Sequence, residues 1–128
     1  MNQLLLVGVG GGLGSIARYV VSTEVLSRLG PGFPWGTLTV NVVGSFLLGL
    51  VLQASASTAT VSPDARLFLT TGFMGGFTTY STFNYETLRL LQEGSLALGL
   101  ANVAGTLGSC LLAGGLGMAL VRASVGGG

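Results

Sequence analysis

Apolar residues run through this chain in four long blocks, separated by short polar or Gly/Pro-rich stretches. A helix crossing a bilayer needs about 20 predominantly apolar residues, and each block is long enough. The first is predicted from near Gln3 to near Leu26, ended by Gly30-Pro31-Gly32-Phe33-Pro34. The second begins at Trp35, where the preceding Pro34 and an interfacial Trp are natural start signals, and runs to about Ala54. Small polar residues at 55–64 read as a loop. The third block starts near Ala65 and reaches about Leu91. Gln92-Glu93-Gly94-Ser95 makes a tight turn, and the fourth covers about Leu96 to Val121. There is no internal repeat. The expected organisation is one all-α, four-helix transmembrane domain over residues 1–124, with residues 125–128 as a flexible tail.

The third block breaks its own pattern. Gly72-Phe-Met-Gly-Gly-Phe-Thr-Thr-Tyr-Ser-Thr-Phe-Asn84 places three glycines and a dense run of hydroxyls at its centre. The helix is predicted to break around Met74–Thr79. Irregular backbone at membrane depth survives only where protein buries it or where it lines a wet cavity. Broken helices put dipole ends and free carbonyls at the midplane, where ions use them. The pattern points to an ion path rather than an enzyme.

Composition sharpens that reading. Charged residues are 7% of the 128, against roughly 25% in soluble domains, and the mean hydropathy is +0.77. A soluble fold of this size could not cover its surface with so few charges. Lys and His are absent, and the acids are Glu24, Asp64, Glu86 and Glu93, so most metal and triad schemes fail. The lone Cys110 rules out an internal disulfide, and a net charge of +1 carries no nucleic-acid signature. The N-terminus lacks a basic leader and its apolar run continues past Arg18, so it reads as a retained helix. Gly12-Leu-Gly14-Ser-Ile-Ala17 matches a dinucleotide fingerprint only formally, because it lies inside an apolar span with no strand–turn–helix around it.

Orientation follows from Arg placement. With four spans, Arg66 and Arg122 fall on one side and Arg28 and Arg89 on the other; Arg18 lies within a span. This parity predicts insertion in both directions and an antiparallel homodimer, the alternative being that something other than charge sets orientation. Gly8, Gly10, Gly12 and Gly14 in the first span, and Gly105, Ser109, Ala113 and Gly117 in the fourth, allow close helix approach. Spacing does not divide them between the subunit interior and a dimer interface.

Thr37, Asn41, Ser45 and Gly49 recur every fourth residue on one face of the second span. The Asn41 amide can donate to an anion or bond a neighbouring helix. A similar stripe on the fourth span holds Asn102, Thr106 and Cys110, with Ser109 adjacent; such hydroxyls often bond only their own i−4 carbonyl. After the break, Tyr80 and Phe83 share a face, and positive ring edges suit a dehydrated anion; Thr79, Ser81 and Thr82 surround them. Core packing is the ordinary role of such a pair. Arg18 is an intramembrane cation placed to attract anions at a vestibule, to cap carbonyls at the break, or to snorkel. Glu86 lies one turn beyond Phe83 and is placed to pair with Arg89 at i+3.

Taken together, Gly72-Phe-Met-Gly-Gly-Phe-Thr-Thr-Tyr-Ser-Thr-Phe83 closely resembles the signature of the Fluc (CrcB-like) fluoride channels. Gly11-Gly-Leu-Gly-Ser-Ile-Ala-Arg18-Tyr19 and Trp35-Gly-Thr-Leu-Thr-Val-Asn41-Val-Val-Gly-Ser-Phe-Leu-Leu-Gly49 agree, and the likeness covers essentially the whole chain. The resemblance implies a fluoride-selective channel that exports toxic fluoride by passive electrodiffusion. It implies two pores along an antiparallel, dual-topology homodimer in a bacterial-type inner membrane. It also implies a structural sodium ion at the dimer centre, held by the backbone carbonyls of Gly75 and Thr78. Asn41, Tyr80 and Phe83 would contact fluoride, with Thr79, Ser81 and Thr82 beside them. A polar track would draw on Thr37, Glu86, Asn102, Thr106 and Ser109. One departure is Tyr80, where the family pattern usually has Phe. Two rival readings exist. A small multidrug-resistance-type exporter would want a carboxylate at the centre of the first span, where this chain has glycines and Arg18. A non-transporting subunit would need neither the broken helix nor Asn41.

Overall fold

The computed structural model describes residues 2–126, and every regular element among them is helical. Helix α1 (Gln3–Leu29) begins where the Asn2 side chain accepts from the Leu4 amide, and ends at Gly30, whose φ of 80° suits a residue without Cβ. Helix α2 (Trp35–Ser57) follows the Pro-rich turn. Helix α3 (Pro63–Leu67) is capped by Ser62, whose hydroxyl accepts from the Ala65 amide, and it runs directly into a π-helical segment over Phe68–Met74. One short turn, α4 (Gly75–Phe77), precedes the break. Helix α5 (Tyr80–Gln92) resumes after it, and the Gly94 turn leads to α6 (Leu96–Gly126).

Three helices are long and apolar enough to cross a membrane: α1, α2 and α6. The remaining block is the composite from Pro63 to Gln92, interrupted near its middle. The π segment was not foreseen. Its wider turn lets the Gly75 amide reach the Thr70 carbonyl five residues back, a geometry that occurs mainly as short insertions at functional sites. Helix α1 also runs three residues beyond the expected Leu26, as does α2 beyond Ala54. Helix α6 continues through Val125 and Gly126, past the expected tail boundary; residues 127–128 lie outside the described residues.

Helix α2 is the spine. It packs along α6 on one side and meets α1 and the composite segment on the other. Close approach explains why the spans carry small residues. A Cβ at Gly14 would strike the Phe73 carbonyl, and one at Gly49 would strike the Gly114 carbonyl. Gly10, Gly14 and Gly117 are thus committed inside the subunit, whereas Gly8, Gly12 and Gly105 face open space. The buried apolar cluster is small, centred on Val40, Met74 and Phe77 beside the break. Large apolar side chains such as Leu4, Leu111 and Leu112 stand exposed, as expected where lipid replaces water as the solvent.

Candidate functional site

The break occupies Thr78 and Thr79, two consecutive residues in extended conformation (φ −87°, ψ 158° and φ −149°, ψ 119°). Three side chains make this possible by replacing the helical bonds that extension removes. Asn41 on α2 clamps the Thr79 backbone from both sides: its Oδ1 accepts from the Thr79 amide at 2.8 Å and its Nδ2 donates to the Thr79 carbonyl at 3.1 Å. Arg18 on α1 donates through Nε to the Gly76 carbonyl at 2.9 Å. The Thr79 hydroxyl accepts from the Thr82 amide at 3.2 Å and so caps α5.

These substitutions decide which carbonyls stay without a helical partner. In an α-helix the Gly75 carbonyl would accept from the Thr79 amide, and the Thr78 carbonyl from the Thr82 amide. Both donors are diverted, one to Asn41 and one to the Thr79 hydroxyl. Gly76 instead receives Arg18. The Gly75, Phe77 and Thr78 oxygens near the middle of the composite segment therefore lose their ordinary donors, and cations prefer such oxygens. No cluster of His, Cys, Asp or Glu capable of holding a metal occurs among the described residues.

Beside the break lies a cleft of about 430 Å³. Asn41, Gly44 and Ser45 form its α2 wall, and Thr78 and Thr79 form its floor. Tyr80 and Phe83 flank it, their ring centroids 5.6 Å apart and their planes tilted by 58°. Thr106 and Cys110 of α6 close the far side, together with the apolar Val103 and Leu107. The predicted stripes on the second and fourth spans thus meet across one space. The Asn41 amide has two N–H groups; one is committed to Thr79, and the other remains for a ligand in the cleft. The Thr79 hydroxyl accepts from Thr82, so its proton is free for the cleft or for Ser81, 3.5 Å away. The Tyr80 side of the cleft is open, with that residue 79% exposed in the single chain.

Several candidates fall elsewhere. Thr37 is buried within α2 and does not line the cleft. Ser109 bonds back to the Gly105 carbonyl, the ordinary fate of a membrane hydroxyl. Ser81 is exposed, and neither it nor Thr82 lines the cleft. Asn102 is buried behind the cleft wall. The expected Glu86–Arg89 pair does not form. Among the described residues the ion pair is Arg28–Glu24 at 2.7 Å, on the exposed end of α1. Glu86 Oε1 and Arg89 Nε are each buried without a hydrogen-bond partner, because favourable i+3 spacing on α5 does not bring their polar tips together. Arg18, of its three predicted roles, takes the carbonyl-capping one.

The sequence also missed Thr87. Its hydroxyl donates to the Phe83 carbonyl at 2.8 Å and accepts from Asn102 Nδ2 at 2.9 Å. Its position one turn after Phe83 on the inward face of α5 was the available signal.

Comparison with known proteins identifies the family. Residues 5–118 match the family model described as CrcB-like protein, Camphor Resistance (CrcB). A protein of Sorangium cellulosum named fluoride-specific ion channel FluC is 54% identical over 127 residues, spanning 99% of this chain and all of that one. The equivalently named protein of Rhizobium meliloti is 48% identical over 98% of this chain and all of its own length. That of Anaeromyxobacter sp. strain K is 54% identical over 95% of this chain and 97% of its own. Members of this family are ion channels rather than enzymes. A broken helix clamped by an intramembrane asparagine, a ring-flanked cleft beside it and near full-length likeness to these relatives lead to one assignment: the chain belongs to the Fluc (CrcB-like) family of fluoride channels.

Proposed function

We propose that this chain forms a fluoride-selective channel that lets fluoride leave the cell by passive electrodiffusion. The observation that carries the reading is the cleft beside the clamped break. It collects neutral donors and two aromatic rings with no carboxylate among its lining residues, and the curated relatives are named fluoride-specific ion channels. Fluoride is small and strongly hydrated, so removing its water without compensation is prohibitive. The spare Asn41 N–H, the Thr79 hydroxyl and the edges of Tyr80 and Phe83 offer stepwise replacement. Neutral donors hold the ion less firmly than a fixed cation would, which leaves it free to move on.

The working unit is proposed to be an antiparallel, dual-topology homodimer with two pathways, in a bacterial-type inner membrane. The even Arg count supports both orientations. The exposed Tyr80 and the uncovered Gly8, Gly12 and Gly105 leave surface for a second subunit. A sodium ion at the dimer centre fits the Gly75 and Thr78 carbonyls, whose helical donors are diverted. It would serve structure rather than transport.

The test is fluoride efflux from liposomes loaded with potassium fluoride and opened with valinomycin, with chloride as control. Rapid electrogenic fluoride loss with little chloride loss is expected, and Phe83→Ile should remain dimeric yet lose it. A dimeric wild-type protein that passes no fluoride in the presence of sodium would overturn the reading.

A further inference from the structure

Behind the cleft wall is a short chain of hydrogen bonds that the conduction scheme does not use. Asn102 is 2% exposed and, with Val40, is among the most completely buried side chains. A buried amide in such surroundings must satisfy its polar ends. Its Oδ1 accepts from the Thr106 hydroxyl at 3.3 Å, and its Nδ2 donates to the Thr87 hydroxyl at 2.9 Å. Thr87 in turn donates to the Phe83 carbonyl. The chain links a hydroxyl on the cleft wall to the backbone of the ring residue opposite.

Thr106 is unusual among the spanning hydroxyls. Thr23, Thr39, Ser55, Thr70, Thr78 and Ser109 each bond the carbonyl four residues back. Thr106 instead bonds a side chain. In the arrangement seen, the Thr106 proton is spent on Asn102, so Thr106 shows the cleft a lone pair, which repels an anion. Reversing the amide yields the opposite polarity. Nδ2 then donates to Thr106, Oδ1 accepts from Thr87, and the Thr106 proton is released into the cleft. The two amide orientations have nearly the same shape, and each leaves Asn102 satisfied at both ends. An amide supplies both a donor and an acceptor, so it supports both polarities, which a lone hydroxyl bonded to a carbonyl does not.

We propose that Thr87 and Asn102 form a positioning pair that sets the polarity of Thr106, so that Thr106 donates its proton to a passing anion only while Asn102 donates back to it. This rests on the fluoride reading above. Neither Thr87 nor Asn102 lines the cleft; they act through Thr106.

A double-mutant cycle on fluoride flux in proteoliposomes tests this, with dimeric state checked for every variant. Thr106→Val and Asn102→Leu should each lower flux by about tenfold, the scale of one lost hydrogen bond in a dry site. The double variant should also lose about tenfold, because the pair acts as one unit. Thr106→Ser should restore wild-type flux. Additive losses of about a hundredfold, or wild-type flux in Asn102→Leu, would overturn the proposal while leaving the channel reading intact. Absence of fluoride flux in the wild type would remove both. Should Asn102→Leu fail to assemble, Thr87→Val asks the same question from the other end of the chain. It should lower flux, Thr87→Ser should restore it, and unaltered flux in dimeric Thr87→Val would reject the pair.

Discussion

Asn41 and Asn102 each lie on a long spanning helix, and they do different work. Asn41 is half-buried on α2 and spends both ends of its amide on the backbone of one residue, Thr79. Asn102 is fully buried on α6 and spends both ends on hydroxyl side chains, Thr87 and Thr106. The first substitutes for a missing helical turn and, on the cleft wall, keeps one N–H without a partner. The second touches no irregular backbone and no cleft surface. The same side chain, with the same polar inventory, builds the site in one place and orients it in another. The difference lies in whether the facing segment has backbone groups without helical partners.

Asn41→Leu should separate the two roles most sharply. It leaves the Thr79 amide and carbonyl unpaired, at about 1–3 kcal/mol each. Fluoride flux should vanish and the melting temperature of the purified protein should drop. A variant with wild-type melting would show that the clamp does not hold the break. Arg18→Leu comes next. It removes a charge-assisted bond to the Gly76 carbonyl, worth about 1.5–3 kcal/mol. Thermal stability should fall with Asn41 still in place, and unchanged melting would mean that Asn41 alone secures the break. Cys110 lines the same cleft as Asn41. A small methanethiosulfonate reagent added to the wild type should cut flux severalfold by filling the cleft, and Cys110→Ala should be insensitive to it. Equal loss in both proteins would place the modified group elsewhere. The smallest effect is expected from Tyr80→Phe. It keeps the ring edge and removes only a hydroxyl, so flux should stay within about fivefold of wild type, under about 1 kcal/mol. A larger change would make that hydroxyl part of the ion path.

Much of this was legible from residue order. The interruption between Met74 and Thr79 was visible because glycines and hydroxyls displace apolar residues there, and the structure breaks the helix at its C-terminal edge, Thr78–Thr79. The facing stripes were visible because Asn41 and Ser45, and Thr106 and Cys110, recur at helical spacing and share a cleft. Other features were hidden. Helical spacing shows that Glu86 and Arg89 share a face of α5, but not whether their tips meet, and they do not. Nothing in Phe68–Met74 announces a π-helical turn, since that geometry reflects the fit of the segment against the glycine face of α1.

Sequence by itself determined that this chain belongs in a bilayer, where it must break and which faces carry polar groups. Those properties depend on composition and on helical periodicity, and both are local. Only the tertiary structure decided what each polar group does. Arg18 became a carbonyl cap and Thr87 the partner of Asn102, because each role depends on which group another helix brings within 3 Å or so. In an apolar medium every polar group takes whatever partner packing supplies, and packing is a property of the whole bundle.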